Sequence, residues 1–408
     1  MIKRTIYKQI INRLEMYPVV VVTGPRQVGK STEVYQLTLT HQFQYVTLDD
    51  IDERNLALND PKFFIQSHGY PLIIDEIQYA PNLMEVIESI VNKERLIKGS
   101  ANGLFVLTGS QTFRLMNGVT QSLAGRATIL NMSPVSQNEI MEKEEVPFIP
   151  CIEKYRENFP LIDIQQLYRN IVRGFYPELY NNPKLPSEVF YSDYVNTYMD
   201  RDITQLINVK NKMLFHNFLQ YIASLTSQQV NYSQISRNIG VDMKTIKEWI
   251  SILETSGIIY LLQPYSEIKL TKRIVKSPKL YFCDTGLAAY LAKVYDSSNL
   301  MISNLSGAFM ENYVMNEIKK SYENNGIKFD GYYYRDNNQN EIDLVLLHDL
   351  TLHLIEIKKG VSFNESHIKG FKQLENSQYT IGDSCVICNT ETCYAIKKDV
   401  YVYPVTSI

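Results

Sequence analysis

Apolar residues along this chain follow two rhythms. The first is a set of short runs: Val19 to Val22, Tyr45-Val46-Thr47-Leu48, Leu72-Ile73-Ile74, Leu104 to Thr108 and Ala127-Thr128-Ile129-Leu130. The four valines stand in a row without polar interruption. Runs of that kind read as strands buried on both faces. The second rhythm is helical and fills the gaps, as in Leu83 to Lys98. Ahead of both, Ile2, Ile6, Ile10 and Leu14 recur every four residues among charges, predicting an amphipathic helix packed on the segment after it. Strands alternating with helices predict a parallel sheet covered on both faces, an α/β domain over residues 1–140.

Further along the pattern changes. Residues 141–226 carry helical periodicity with no standout chemistry. In residues 227–298, Ser233 to Ile239 predicts a short helix, Gly240-Val241-Asp242 a turn, and Met243 to Thr255 a second helix with Ile246, Ile250 and Leu253 buried. Asp242 is placed to cap that helix. A strand from Gly257 to Leu262 then completes the order of a winged helix-turn-helix. In residues 299–408, Gly307 to Lys320 predicts a helix whose buried stripe is Ala308, Val314, Met315 and Ile318, with Glu311 on that stripe and Glu317 off it. Two strands come next, Glu341 to Leu347 and Leu352 to Lys358, joined by His348 to Thr351. The chain is thus an α/β multidomain protein.

Composition narrows this only a little. The chain has 408 residues, 45% hydrophobic and 21% charged, with a net charge of −3, so there is core enough for several domains and no global pull toward nucleic acid or membrane. No apolar run approaches the roughly 18 residues of a membrane span. The first seventeen residues do not read as a signal peptide, and five cysteines suit a reducing cytoplasm. Cys385, Cys388 and Cys393 lack a nearby fourth ligand, and Ser384 to Asn389 reads as a strand, which argues against zinc there.

The chemistry starts where the valine run ends. Gly24-Pro25-Arg26-Gln27-Val28-Gly29-Lys30-Ser31-Thr32 is a strand-to-helix phosphate loop. Gly24 and Gly29 let the backbone curl so that successive N–H groups face an anion. Lys30 is expected to reach the β- and γ-phosphates of a nucleotide, and Ser31 to offer its hydroxyl to Mg²⁺ at the helix start. Asp75 ends an apolar run and fits the carboxylate that holds Mg²⁺ through water. Glu76 beside it fits the base for the attacking water. Thr108, Ser110 and Gln111 are the choices for a polar γ-phosphate sensor, with Ser110 favoured.

The loop, Leu48-Asp49-Asp50, Asp75-Glu76-Ile77-Gln78, Leu107-Thr108-Gly109-Ser110-Gln111 and Ser122-Leu123-Ala124-Gly125-Arg126 together resemble a prokaryotic family of AAA-type ATPases fused to a conserved C-terminal domain of unknown function. The resemblance covers nearly the whole chain, with Ser31 where threonine is commoner. It implies a P-loop NTPase core that binds and hydrolyses ATP. It also offers Arg126 as a nucleotide-sensing arginine, in cis or toward a neighbouring subunit, or else as a surface residue. Arg173 to Glu178, Asp200-Arg201-Asp202 and Leu280 to Leu287 match the family without an assigned role.

The later segments raise nucleic-acid and metal readings. The second helix of the winged module carries Lys244 and Lys247 but also Glu248 and Glu254. Lys269, Lys272, Arg273, Lys276 and Lys279 form the densest basic run, suited either to a phosphate backbone or to the protein's own acidic surface. A hairpin symmetric about its turn sets Asp343 opposite Glu356 and Glu341 opposite Lys358, with β-carbons about 5 Å apart. Ile342, Leu344, Leu346, Ile355 and Ile357 make one apolar face, and Asp343 shares the other with Val345, Leu347, Leu352 and Leu354. Paired carboxylates there call for a cation. Glu311, Asp343 and Glu356-Ile357-Lys358 resemble the PD-(D/E)XK nuclease superfamily, a restriction-endonuclease-like α/β fold. That implies Mg²⁺ or Mn²⁺ on Glu311, Asp343 and Glu356, with Lys358 activating water. Two readings result. One is an ATPase controlling a metal-dependent nuclease-like domain. The other is an ATP-dependent switch or assembly protein whose C-terminal domain binds DNA, RNA, a protein or its own copy without cutting.

Overall fold

The computed structural model describes residues 2–110, 123–155, 159–198, 212–267 and 277–408. Gln111, Ser122, Asp200, Arg201, Asp202, Lys269, Lys272, Arg273 and Lys276 lie outside the described residues, as does the side chain of Ser110.

Five strands build the first sheet: β1 (Val19–Gly24), β2 (Gln44–Thr47), β3 (Leu72–Asp75), β4 (Phe105–Ser110) and β5 (Ala127–Asn131), in the order β2-β3-β4-β1-β5 and all parallel. The valine run explains why this sheet is central. Val19 and Val21 pack on one side with Ile87 and Val91 of the helix Leu83–Lys98, while Val20 and Val22 pack on the other with Ile6, Ile10 and Leu14 of the helix Ile6–Met16. Strand β4 lies between β1 and β3, so Gly24 is level with Ser110 and Thr47 with Asp75. The loop and the acidic pair therefore meet at the carboxyl edge of the sheet, where open α/β sheets bind ligands.

The middle of the chain is helical, then turns into a three-stranded antiparallel sheet of β6 (Gln228–Gln229), β7 (Ile259–Leu262) and β8 (Lys279–Phe282), ordered β6-β8-β7. The helices Tyr232–Ile239 and Met243–Thr255 precede β7, and Asp242 Oδ1 accepts from Thr245 N at 2.9 Å as a cap. Trp249 of the second helix packs on Phe215 and Phe218, tying the pair to the helix Lys212–Ala223.

The C-terminal sheet joins β9 (Gly331–Arg335), β10 (Glu341–His348), β11 (Thr351–Ile357), β12 (Thr380–Ile381), β13 (Ser384–Cys388), β14 (Tyr394–Lys397) and β15 (Val400–Pro404). The order is β14-β15-β13-β11-β10-β9, with β12 beside β11, and the sheet mixes parallel and antiparallel pairs. Three expectations need correcting here. The β10–β11 turn has two central residues rather than four: His348 pairs with Thr351, and Asp349 and Leu350 take positive φ of 44° and 61°, the geometry that matches strand twist. Ile342 does not share the face of Leu344. The register against β9 shifts between Ile342 and Val345, and this bulge puts Ile342 in the cluster of Val345, Leu352 and Leu354 while Leu344, Leu346, Ile355 and Ile357 pack on the opposite side. The helix Ser306–Glu323, finally, is buried almost all round. Glu317, expected off the buried face, is enclosed with Lys320 Nζ 2.8 Å away and accepts from Gln137 N at 2.7 Å.

Candidate functional site

The loop after β1 is shaped by positions that only certain residues tolerate. A Cβ on Gly24 would lie 2.1 Å from the carbonyl oxygen of Met132, so the neighbouring strand requires glycine there. Gln27 and Gly29 take φ of 63° and 95°, curling the backbone into an anion-accepting concavity. Lys30 opens the helix Lys30–Thr40 and is almost fully buried. Its ammonium donates to the carbonyls of Gly24 at 3.0 Å and Pro25 at 2.7 Å. Burial, helped by Arg26, lowers its pKa to about 8 against the opposing pull of Glu76 and Asp75.

Four side chains converge on Asp75 at the end of β3. Ser31 Oγ donates to Asp75 Oδ1 at 3.0 Å, Tyr45 OH donates to Oδ2 at 3.0 Å, and Lys30 adds its charge. Thr108 Oγ1 also donates to Asp75 and accepts from the backbone N of Glu76 at 3.3 Å. Thr108 is thus spent on orienting the acidic pair. Glu76 sits at φ 55°, a left-handed turn that carries its side chain into the cavity over the loop, where Gln78 Nε2 donates to it. Tyr45 was not singled out in the sequence, since its role depends on strand order, and Thr108, a candidate phosphate sensor there, is here a partner of Asp75.

Arg4 was not anticipated at all. It is 4% exposed, and its guanidinium donates to Val28 O at 2.8 Å, to Ser133 O at 2.6 Å and to Glu139 Oε2 at 2.9 Å. Glu139 in turn accepts from Thr5 N at 2.8 Å and Ser136 N at 3.1 Å. One arginine therefore braces the phosphate loop, the exit of β5 and the following helix. Beside it, burial raises the Glu33 carboxyl to about 7.

The cavity above the loop holds about 780 Å³. Its floor includes Arg26, Lys30, Ser31, Thr32 and Glu76, and its far wall comes from the helices Pro177–Asn181 and Ser187–Tyr194 with the residues just after, including Phe190, Tyr194 and Tyr198. The Arg26 guanidinium lies 5.2 Å from the centre of the Tyr198 ring. So the segment that lacked standout chemistry supplies half the enclosure. Two stretches without an assigned role also meet one another. Asp284 accepts from Phe175 N at 2.6 Å and Tyr191 OH at 2.6 Å, and Gly174 approaches Gly286 so closely that a Cβ on either would clash.

Arg126 requires a correction as a residue facing the nucleotide loop in cis. It precedes β5 at the opposite edge of the sheet, where its Nη2 is 3.1 Å from Glu88 Oε1 and its Nε donates to Asn92 Oδ1 at 2.9 Å. Ser110 ends β4 level with Gly24.

In the C-terminal sheet the β10–β11 pairing runs from His348 with Thr351 to Leu344 with Ile355, and just beyond it Asp343 Oδ2 accepts from Ile357 N at 2.8 Å. Glu341 and Lys358 do not pair with each other. Glu341 Oε1 lies 2.5 Å from Lys279 Nζ and Oε2 3.4 Å from Arg335 Nη1, while Lys358 Nζ lies 2.5 Å from Glu356 and 3.6 Å from Asp343. Glu311 does face this cluster, accepting from Lys279 at 3.0 Å and from Tyr281 OH at 2.6 Å. Burial first, then neighbouring carboxylates, raise the Glu311 and Glu356 carboxyls against the opposing lysines. Burial alone would lower Lys279, but Glu311, Asp343 and Glu341 outweigh it and hold it charged. Glu311, Asp343 and Glu356 do not fit the expected metal centre, because the Lys279 ammonium, which was not part of it, stands 3.0 Å from Glu311 and 3.7 Å from Asp343. Among the described residues no group of three or more His, Cys, Asp or Glu side chains is disposed to hold a metal ion. Nor is any helix among them long and apolar enough to cross a membrane.

Residues 16–141 match a family model described as an AAA domain, while 164–298 and 306–408 match two domains of unknown function, DUF8612 and DUF4143. Uncharacterised proteins of Mycobacterium bovis and Mycobacterium tuberculosis are each 24% identical over 335 residues, 81% of this chain and 68% of theirs. Among solved structures, the chain is similar to a Walker-type ATPase of Pyrococcus abyssi (13% identity, TM-score 0.40, 71% of this chain and 96% of that one). It is also similar to a RuvB variant of Thermotoga maritima (17% identity, TM-score 0.30, 62% and 87%). The segment matched by the AAA-domain model has a P-loop NTPase-like fold, a parallel sheet flanked by helices, and the C-terminal segment forms a mixed sheet.

Proposed function

We propose that this chain binds ATP with Mg²⁺ between the phosphate loop and the middle helices, and hydrolyses it. The observation that carries this is the convergence of Lys30, Ser31, Asp75 and Glu76 on one edge of the sheet, under a cavity of about 780 Å³. The metal fits the donor set: a hydroxyl and a carboxylate oxygen 3.0 Å apart are hard oxygen ligands beside a phosphate site. Magnesium, when bound, neutralises charge on the phosphate oxygens. Ser31 and Asp75 would hold that ion, the backbone N–H groups from Arg26 to Thr32 cradle the phosphates, and Lys30 exchanges two carbonyl partners for phosphate oxygens. Glu76 accepts the proton of the attacking water. Ser110, level with Gly24, remains the γ-phosphate sensor in this reading.

Lys30→Ala is expected to abolish ATP binding in a titration with a fluorescent ATP analogue. The wild-type protein carries a pH signature of the same contact. Its free Lys30 titrates at about 8, and bound phosphate raises that value, so binding takes up a proton above it. Affinity should hold steady below that pH and fall by about tenfold per unit above it. Unchanged affinity well above pH 8 would overturn this role for Lys30.

For the remaining segments we read the helices Tyr232–Ile239 and Met243–Thr255 with β7 and β8 as a winged-helix module. The restriction-endonuclease-like resemblance of the C-terminal sheet leaves a cutting and a non-cutting reading. The side chains favour the second, a switch whose C-terminal domain binds DNA, RNA or protein, because the Lys279 ammonium already stands beside Glu311 and Asp343, two of the carboxylates that a metal would need.

A further inference from the structure

The cation among the C-terminal carboxylates comes from outside that domain. Lys279 opens β8, within the segment matched by the middle family model, whereas Glu311, Glu341, Asp343 and Glu356 belong to the segment matched by the C-terminal one. The Lys279 side chain is 3% exposed, and its Nζ lies 3.0 Å from Glu311, 2.5 Å from Glu341 and 3.7 Å from Asp343. An ammonium has three donors, and here three carboxylates surround it.

The position of β8 is itself held firmly. Tyr281 OH donates to Glu311 at 2.6 Å, and Asn312 and Asn316 on the helix Ser306–Glu323 donate to Phe282 O at 2.8 and 2.9 Å. Phe282 N donates back to Asn312 Oδ1 at 3.1 Å. Strand β8 is therefore fastened to the C-terminal helix along both its backbone and its side chains, and Lys279 is delivered into the cluster by that pairing. Four carboxylates are met by Lys279, Lys358 and Arg335. Taking one of these cations away would leave buried carboxylates uncompensated, a costlier state than the ion pairs themselves.

We infer that Lys279 is the resident cation of the C-terminal acidic cluster, standing where a divalent metal would stand and locking the middle sheet onto the C-terminal sheet. This rests on the non-cutting reading above. It adds that the cluster is an interdomain fastening, filled by a side chain from the neighbouring module.

The test is a Mn²⁺ titration of the full-length, nucleotide-free chain, read by the electron paramagnetic resonance of free Mn²⁺. Wild type and Asp343→Asn should bind Mn²⁺ alike. Lys279→Met should gain one equivalent, which is lost again in Lys279→Met with Asp343→Asn. A wild-type Mn²⁺ site that disappears in Asp343→Asn would overturn the inference, as would a folded Lys279→Met protein with no gained site. Should Lys279→Met fail to fold, the wild-type and Asp343→Asn pair still decides. Phosphodiester cleavage assays on the same proteins keep the two readings apart. Cutting lost in Asp343→Asn removes the non-cutting reading, whereas Mn²⁺ bound there without cutting removes only the role of Lys279.

Discussion

Replacing Glu76 by glutamine is expected to leave ATP binding intact and slow hydrolysis by about 10²–10⁴-fold, the usual worth of a positioned general base. Glutamine keeps the shape and the backbone N–H that donates to Thr108, so Asp75, Ser31 and the loop should retain their arrangement. What is lost is the proton acceptor. Glu76 is suited to that part by its left-handed φ of 55°, which carries the carboxylate over the same cavity that Lys30 and Ser31 line. Single-turnover phosphate release beside an ATP titration checks both halves. Normal turnover would remove Glu76 as the base, and lost binding would mean that the substitution disturbs the loop itself.

The second large effect is on stability. Arg4→Met should cost about 3–5 kcal/mol, because it strands the buried Glu139 carboxylate and leaves the Val28 and Ser133 carbonyls without their donor. Chemical denaturation of the full chain measures this. Adding Glu139→Gln to Arg4→Met should recover part of the loss, since the uncompensated charge is then gone. A loss below about 1 kcal/mol for Arg4→Met alone would show that water replaces the guanidinium there. A protein that keeps its fold but binds ATP more weakly would show the brace acting on the loop beyond its effect on stability.

These two residues mark the divide between what local sequence specifies and what it does not. The phosphate loop was legible because its chemistry is contiguous: glycines that permit positive φ, a lysine and a hydroxyl fall within nine residues of one another, after a strand of four valines. The helix Leu83–Lys98, the acidic pair at the end of β3, and the helix pair before β7 come equally from periodicity and capping. The two-residue turn at Asp349 and Leu350 escaped, since Leu350 holds the second positive-φ position, where glycine would have signalled it.

The partners of charged side chains were decided by tertiary structure alone. Arg4 meets Glu139 across 135 positions of chain, and Arg126 turns to Glu88 at the far edge of the sheet because parallel strands put the start and end of β5 on opposite sides. The C-terminal cluster is the sharpest case. The hairpin register expected from the sequence set Asp343 against Glu356 and called for a cation between them. It could not say that the cation is Lys279, brought in by a strand of another sheet. Hydrophobic period and backbone geometry act over a few residues and leave their mark in the sequence. Charge compensation acts through space between segments far apart in the chain, and it exists only once the sheets are assembled.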